Sequence, residues 1–166
     1  MEDSSVQNAI ARQYHASLAM LGQAIELCSE PLWLSEDYKN RFWHIAYHAV
    51  FYTHLYLQTA EADFHPWPKY RKDSQYLGPR PWAPGEARRV DPPYTKAEVQ
   101  EYFEVCRAEV DTRVPTLDLA AASGFSWLPF NKLELQFYNI RHVQHHAGQL
   151  ADRLRTAAGI GLGWVR

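Results

Sequence analysis

The sequence contains little cysteine, no marked excess of charge and no long apolar run, and each of these absences excludes a class of protein. Only Cys28 and Cys106 occur, far apart and outside any CxxC motif, so neither a disulfide framework nor a zinc-thiolate site is expected. Both thiols are interpreted as small core residues on apolar helix faces. A formal net charge of -2 provides no basic surface, so no nucleic-acid partner is expected.

Membrane-spanning and secretory segments are also missing from the pattern. No uncharged apolar stretch approaches the roughly 20 residues that a transmembrane helix needs. Residues 1–5 lack the basic start and apolar core of a signal peptide. We therefore expect a cytoplasmic protein without a membrane partner. Because a chain of this length can bury about two thirds of its unfolded surface around one core, residues 1–166 are expected to form a single helical bundle domain.

Apolar residues recur at intervals of three and four in four parts of the chain, which predicts amphipathic helices. The first helix should follow the stripe from Val6 to Cys28 and end at Pro31. The second should begin at Ser35, whose hydroxyl is a suitable N-cap, and continue to about Ala62. No segment of the sequence shows a convincing strand pattern.

The two later helices have clearer end signals. Thr95 and Glu98 form a capping box that opens the third helix, which should kink or fray at Pro115. The fourth helix should run from about Asn131 to Ala158, with Gly159 as its C-cap. Four helices without strands predict an all-α four-helix bundle.

Residues 64–94 interrupt the helical pattern with seven prolines and two glycines. Proline lacks an amide donor and disfavours helix in the residue before it, so a long irregular connection is expected between helices two and three. Between its ends the segment contains four large aromatic residues, Trp67, Tyr70, Tyr76 and Trp82. They favour a connection that packs over the bundle, and the alternative is a poorly ordered loop. Its basic residues are either solvated charges or contacts to an anionic substrate: Arg71, Lys72, Arg80, Arg88 and Arg89.

Two histidines four residues apart, His142 and His146, lie on the predicted fourth helix. Residues at this spacing share one face of a helix, and both flank the apolar stripe of that helix, so both imidazoles should reach the interior. His145 lies about a hundred degrees further round and is expected at the rim. Two imidazoles can share one transition ion, but a catalytic site usually has three protein ligands and an open position.

A third imidazole is available on the predicted second helix, where His44 and His48 are also four residues apart. Either could face the fourth helix, and His48 lies nearer the middle of the apolar stretch. An isolated histidine on such a face is more often a hydrogen-bonded core residue than a ligand, but six of the eight histidines cluster in two short windows. Neutral imidazoles suit zinc, copper, iron and nickel better than magnesium or calcium.

The sequence also resembles a known family. The residues Trp43-His44-Ile45-Ala46-Tyr47-His48, the pattern His142-x-x-x-His146-x-Gly148-Gln149-Leu150 and the terminal Gly163-Trp164-Val165 resemble the DinB-like superfamily of damage-inducible proteins and thiol-dependent transferases. The resemblance covers almost the whole chain, and its most specific part is the last helix.

The resemblance implies a four-helix bundle that is often dimeric and binds a divalent transition metal such as zinc, nickel or iron through three histidines. Carried over to matching positions, the implied metal ligands are His48, His142 and His146. The sequence departs from the pattern in having three further histidines that could replace a ligand, and it shows no recognisable site for a thiol cofactor. Those histidines are His44, His54 and His145.

Two functions remain open from the sequence. One is a metal-dependent thiol (S-)transferase or hydrolase that acts on a small-molecule substrate, with or without a thiol cofactor. Its catalytic residues are unknown: Asn139 and Gln149 either orient substrate or form helix-surface hydrogen bonds, and Glu134 could act as a base only from two turns away. The other is a non-catalytic, stress-linked interaction protein, in which a structural metal joins helices two and four and exposed aromatic residues mediate dimerisation or another interaction. The aromatic content of 14% favours a homodimer in either case.

Overall fold

The computed structural model describes residues 2–80, 82–85 and 92–166, and within these ranges the chain is helical and contains no β-strand. Its helices are α1 (Glu2–Leu27), α2 (Glu30–Leu34), α3 (Phe42–Tyr56), α4 (Lys96–Arg113) and α5 (Lys132–Ala158). Four of them are long, and α2 has only five residues. The predicted all-α bundle is therefore confirmed. No helix in these ranges is long and apolar enough to cross a bilayer.

The predicted limits of the second long helix were wrong at both ends. Ser35 follows α2 as its C-cap, and the helix begins only at Phe42. The Ser35 hydroxyl donates to Asp37 Oδ2 at 2.9 Å and accepts from the Asp37 amide, a local turn that competes with helix capping. Pro31 does not end α1. It lies in the first turn of α2, where backbone amides have no acceptor within the helix, so the missing amide of proline costs no hydrogen bond.

The predicted ends of α4 and α5 agree with the structure. The Thr95 hydroxyl accepts from the Glu98 amide, and the Glu98 carboxylate accepts from the Thr95 amide. The chain leaves α4 in a short 3-10 turn that contains Pro115. Asn131 caps the start of α5, and Gly159 ends it in the left-handed conformation with φ of 68°.

The four long helices form a bundle in which α1 and α3 occupy opposite corners. Helix α1 packs on α4 and α5, and helix α3 packs on the same two neighbours. Twelve of the fifteen α3 residues are buried, which leaves His44, His48 and Tyr52 as its half-buried positions. Their spacing of four places them along one face of α3. The bundle therefore aligns three polar side chains on a helix that is otherwise core.

The described part of the connection between α3 and α4 packs against the bundle through aromatic rings. The Trp67 ring stacks on Tyr102 of α4 with centroids 4.8 Å apart. The Tyr94 hydroxyl donates to the Lys69 carbonyl at 2.9 Å and accepts from the Arg71 amide at 2.8 Å. The Trp67 contact therefore attaches the connection to α4, and the Tyr94 hydrogen bonds join the two ends of the connection to each other.

A buried lysine joins the end of α3 to the start of α5. Lys132 is 2% exposed, and its ammonium donates to the carbonyls of Gln58, Thr59 and Ser123. The neighbouring Gly124 has φ of 85°, and a Cβ there would lie 2.2 Å from the Thr59 carbonyl oxygen. Only glycine fits this conformation and this approach. The junction explains why α3 ends at Tyr56, well before the predicted Ala62.

Candidate metal centre

Three histidine side chains converge between α3 and α5, which are neighbours in the bundle. The Nε2 atoms of His48 and His142 are 3.0 Å apart, and those of His142 and His146 are 3.2 Å apart. The ligand atoms of all three residues lie within 4.8 Å of one another. The structure thus brings together the three residues that the sequence resemblance implied as metal ligands.

These separations are close to those of nitrogen atoms around one metal ion. Two imidazole nitrogens bound to a tetrahedral zinc ion at about 2.0–2.1 Å would be about 3.3 Å apart. Hydrogen bonds alone cannot satisfy the cluster, since a proton on His142 Nε2 can serve only one of its two neighbours. The geometry of the donor set therefore fits a shared divalent ion.

The outer nitrogens of two rings have hydrogen-bond acceptors that direct their Nε2 lone pairs toward the cluster. His48 Nδ1 donates to the Gln75 carbonyl at 2.5 Å, and His146 Nδ1 donates to Gln149 Oε1 at 3.0 Å. A neutral ring that carries its proton on Nδ1 keeps a lone pair on Nε2. Such partners usually fix the orientation of metal-binding histidines. His142 Nδ1 differs, because it is buried without a hydrogen-bond partner among the described residues.

Burial lowers the pKa of all three histidines below the ordinary value of about 6.5. For His142, desolvation by burial, with smaller contributions from neighbouring histidines, lowers the pKa to about 3. Burial also lowers the pKa of His48 well below its usual range, although its hydrogen bond to the Gln75 carbonyl opposes the shift. For His146, burial outweighs the opposing hydrogen bond to Gln149 and lowers the pKa. The rings are therefore neutral near pH 7, the state in which imidazole binds metals.

The three additional histidines are not part of this cluster. His44 Nε2 donates to the Ser74 carbonyl at 2.9 Å, so it attaches the connection to α3. His54 lies among core residues, and its Nδ1 is 3.0 Å from the Tyr102 hydroxyl. His145 is exposed, with its ring centroid 5.0 Å from that of His146, as its predicted rim position requires.

The structure separates the roles that the sequence left open for three polar residues of α5. Gln149 fixes the ring of His146, so its hydrogen bond belongs to the candidate site. Asn139 is fully buried and donates to the Thr53 carbonyl at 3.3 Å, which makes it a link within the core. Glu134 is exposed in the first turn of α5, where its amide is capped by Asn131, and its carboxylate is not among the grouped ligands.

Sequence reasoning missed two features of the site, of which only the second had a signal in the sequence. The carbonyls of Ser74 and Gln75 hold His44 and His48, but any residue type supplies a backbone carbonyl. Tyr52 continues the same face of α3, and its ring lies 4.8 Å from that of His48 and 5.5 Å from that of His142, centroid to centroid. The spacing of four from His48 was the available signal for Tyr52.

In the described part of the chain, no fourth histidine, cysteine, aspartate or glutamate joins the three-histidine group. Both cysteines are buried elsewhere, and burial raises the pKa of each thiol. Cys106 donates to the Val50 carbonyl on a different side of α3. An ion held by the three histidines would therefore keep at least one position for a ligand that is not a protein side chain of this group.

The fold is thus a helical bundle whose three convergent, neutral imidazoles form a group that could hold a metal ion. The chain belongs to the DinB superfamily, whose family model matches residues 13–150. This range includes all three clustered histidines, so the resemblance noted in the sequence is confirmed. No curated protein and no solved structure matches the chain.

Proposed function

We propose that His48, His142 and His146 bind one divalent transition ion through Nε2 and that the protein is a metal-dependent enzyme, either a thiol (S-)transferase or a hydrolase. The single observation that carries the proposal is the convergence of the three Nε2 atoms without a fourth protein ligand in the described residues. Catalytic metal sites commonly combine three protein ligands with an open position, whereas structural sites are closed by four.

The donor set favours zinc, nickel or iron. Three neutral imidazoles are suitable for these ions, and the described residues add to them neither the carboxylates that magnesium and calcium prefer nor a thiolate. When bound, such an ion supplies Lewis acidity that activates a water molecule or a substrate thiolate near neutral pH. Both reaction classes follow from that one property, and each takes a small molecule as substrate.

The residues of the chain have distinct tasks in this proposal. The Gln75 carbonyl and the Gln149 side chain hold the tautomers of His48 and His146, so that both rings present a lone pair. Tyr52 packs against two of the rings and shields them on one side. These contacts orient the donors before a ligand binds, which reduces the reorganisation needed during a reaction.

A non-catalytic role for the metal makes a different prediction about the coordination position. A metal that only joins α3 to α5 would be closed by a further ligand and would not exchange it with small molecules. Cobalt(II) loaded into the protein separates the two cases, because its absorption spectrum reports its ligands. We expect mercaptoethanol to produce a thiolate-to-cobalt charge-transfer band. An unchanged spectrum would support the structural role.

Reaction class is tested with two reporter reactions. One is hydrolysis of para-nitrophenyl acetate, and the other is transfer of mercaptoethanol to chlorodinitrobenzene, in which the thiolate replaces chloride. The metal-loaded protein should accelerate one of them, and the His142→Ala variant should lose the acceleration. Equal rates for the two proteins in both reactions would contradict an enzymatic role in these classes.

We also propose that residues 1–166 act as one domain and that two copies form a homodimer. Large apolar side chains remain exposed on the described surface, including Phe137 on α5 and Trp164 in the C-terminal segment. Exposed rings of this size favour association. The expected result is a dimer mass by sedimentation at micromolar concentration, and a monomer mass would contradict it.

A further inference from the structure

A cavity of about 650 Å³ opens beside the candidate metal centre, and its lining is unusually aromatic. Eight of its twelve described lining residues are phenylalanine, tyrosine or tryptophan. Its volume lies in the range of small-molecule sites, which is about 300–1,000 Å³. We call it the aromatic cleft and define it by Tyr52, Tyr56, Tyr76, Trp82 and Trp127, with Glu61 at the same surface.

The aromatic cleft reaches the histidines through two shared residues. Tyr52 lines the cleft and also packs against the rings of His48 and His142. Gln75 lines the cleft as well, and its carbonyl accepts the hydrogen bond from His48 Nδ1. One layer of side chains therefore separates the cleft from the candidate metal centre. None of the three histidines lines the cleft itself, so a ligand whose ring lies in the cleft would have to extend past Tyr52 or Gln75 to reach them.

Two tryptophans at the cleft are held in place while keeping much of their surface exposed. Trp82 is 62% exposed and packs edge-on against Tyr76, with ring centroids 5.5 Å apart. Trp127 is 48% exposed and packs edge-on against Phe125 at the same separation. Such rings still have apolar faces to bury, and an aromatic ligand can stack on them without displacing the bundle core.

The charge that the described residues place at the cleft opposes an anionic ligand. Glu61 is the single charged residue among the described lining residues. Two of the arginines that suggested an anionic substrate in the sequence have internal partners: Arg71 bonds Glu98 at 3.1 Å, and Arg80 bonds Asp73 at 3.2 Å. The other two arginines of that hypothesis, Arg88 and Arg89, lie outside the described residues.

We propose that the aromatic cleft binds the aromatic group of a small neutral or cationic substrate and places its reacting group beside the three histidines. This inference names the substrate class of the proposed enzyme, and it rests on that proposed function in treating the ligand as a substrate. Ring binding itself depends only on the cleft. A larger cavity between α1 and α4, about 710 Å³, is lined by charges of both signs and by neither Tyr52 nor Gln75, the two residues that join the aromatic cleft to the histidines.

The test uses three probes that share one phenyl group and differ in charge: phenylethylamine, phenylethanol and phenylpropionate. Binding is measured by equilibrium titration on the full chain, with and without added zinc. The amine and the alcohol should bind, and the propionate should bind at least about threefold more weakly because of Glu61. In Glu61→Gln, the difference between amine and propionate should shrink. Propionate binding as tight as that of the amine would overturn the charge argument.

Tryptophan variants test the location of the bound ring. Trp82→Ala and Trp127→Ala should each weaken phenylethanol binding by roughly threefold to tenfold, the range expected for one aromatic contact. Trp164→Ala is the matched control, because Trp164 is 77% exposed and does not line this cleft. Phenylethanol affinities for the first two variants equal to that of the control would overturn the proposal.

These measurements test the cleft proposal and the metal proposal separately. If His142→Ala removes the metal and phenylethanol still binds in a manner that depends on Trp82, both the cleft and the metal assignment stand. If the wild-type chain binds no metal but binds phenylethanol at Trp82 and Trp127, the metal proposal fails and the cleft stands. If metal binds and no phenyl probe does, the cleft proposal fails alone.

Discussion

Gln149 Oε1 accepts a hydrogen bond from His146 Nδ1 at 3.0 Å, so a single turn of α5 carries both a candidate ligand and the group that fixes its tautomer. The spacing of three residues places the two side chains on the same face of the helix. Gln149 is exposed, so the contact is not explained by packing of Gln149 in the core. We infer that Gln149 fixes the orientation of the His146 ring.

The Gln149→Leu variant should weaken metal binding by roughly tenfold to a hundredfold, the usual effect of removing such a partner. Leucine keeps the size of the side chain but cannot accept the Nδ1 proton. Affinity is measured by competition with a chelator of known strength, and Gln144→Leu is the control because Gln144 contacts Met20 instead. Equal affinities in the two variants would show that Gln149 does not act on the site.

The His44→Phe variant should release the connection without removing the metal. His44 bonds the Ser74 carbonyl and does not belong to the ligand group. Trypsin should therefore cut faster at Lys69, Arg71 or Lys72 in the variant, since local opening controls cleavage. Metal content should stay at one ion per chain. Loss of the metal in His44→Phe, but not in His145→Phe, would identify His44 as a ligand.

Acid should destabilise the metal-free protein through the buried histidines. Burial lowers the pKa of His48, His142 and His146, and that of His142 falls to about 3. Below about pH 6.5 these histidines are protonated in the unfolded chain but stay neutral in the folded protein. The free energy of unfolding therefore declines as the pH falls from about 6.5 toward 3. Metal should be released toward the acid end of this range, because protons compete for the folded Nε2 atoms only as the pH approaches the lowered pKa values.

Urea unfolding of the metal-free protein at about pH 7.5 and about pH 5 measures this loss. His142→Gln should lose less stability between the two conditions than the wild type does, because one buried imidazole has been removed. This difference separates the histidine effect from that of the carboxylates, which are common to both proteins. An identical or steeper pH dependence in His142→Gln would contradict the assignment.

The Lys132→Met variant should be destabilised by about 2 kcal/mol or more, because three carbonyls lose their donor and the two buried ones, of Gln58 and Ser123, each cost about 1–3 kcal/mol. Lys69→Met is the control. Lys69 makes a half-exposed ion pair with Glu101, and its ammonium lies 5.6 Å from the centroid of the Trp67 ring; each of these exposed contacts contributes about 1 kcal/mol or less. Thermal or urea unfolding measures both, and similar losses in the two variants would count against a role for the Lys132 junction.

The fold could be predicted where local chemistry alone decides it. The Thr95 and Glu98 capping box and the Gly159 C-cap occur as the sequence indicates. The limits of α3 could not be predicted, because the Ser35 hydroxyl serves a turn with Asp37 and the end of the helix depends on Lys132, which lies far along the chain. Contacts of that kind are set by packing and have no local signature.

Like the fold, the candidate metal centre could be predicted from the sequence only in part. The i,i+4 spacing of His142 and His146 was sufficient to place both on one face. Spacing alone left His44 and His48 equivalent, and the family resemblance favoured His48. The structure distinguishes them by the register of the turn at residues 72–75, which presents the Ser74 carbonyl to His44 and the Gln75 carbonyl to His48. Backbone acceptors of this kind, and the aromatic cleft that spans three segments, require the folded chain.

The most direct test is elemental analysis of the protein purified without a histidine tag, together with single alanine variants. The account predicts one divalent transition ion per chain in the wild type, and severe loss in His48→Ala, His142→Ala and His146→Ala, because two imidazoles are too few donors. His15→Ala and His65→Ala are the controls and should keep the wild-type content. One tightly bound ion per chain in both His142→Ala and His146→Ala would contradict the assignment.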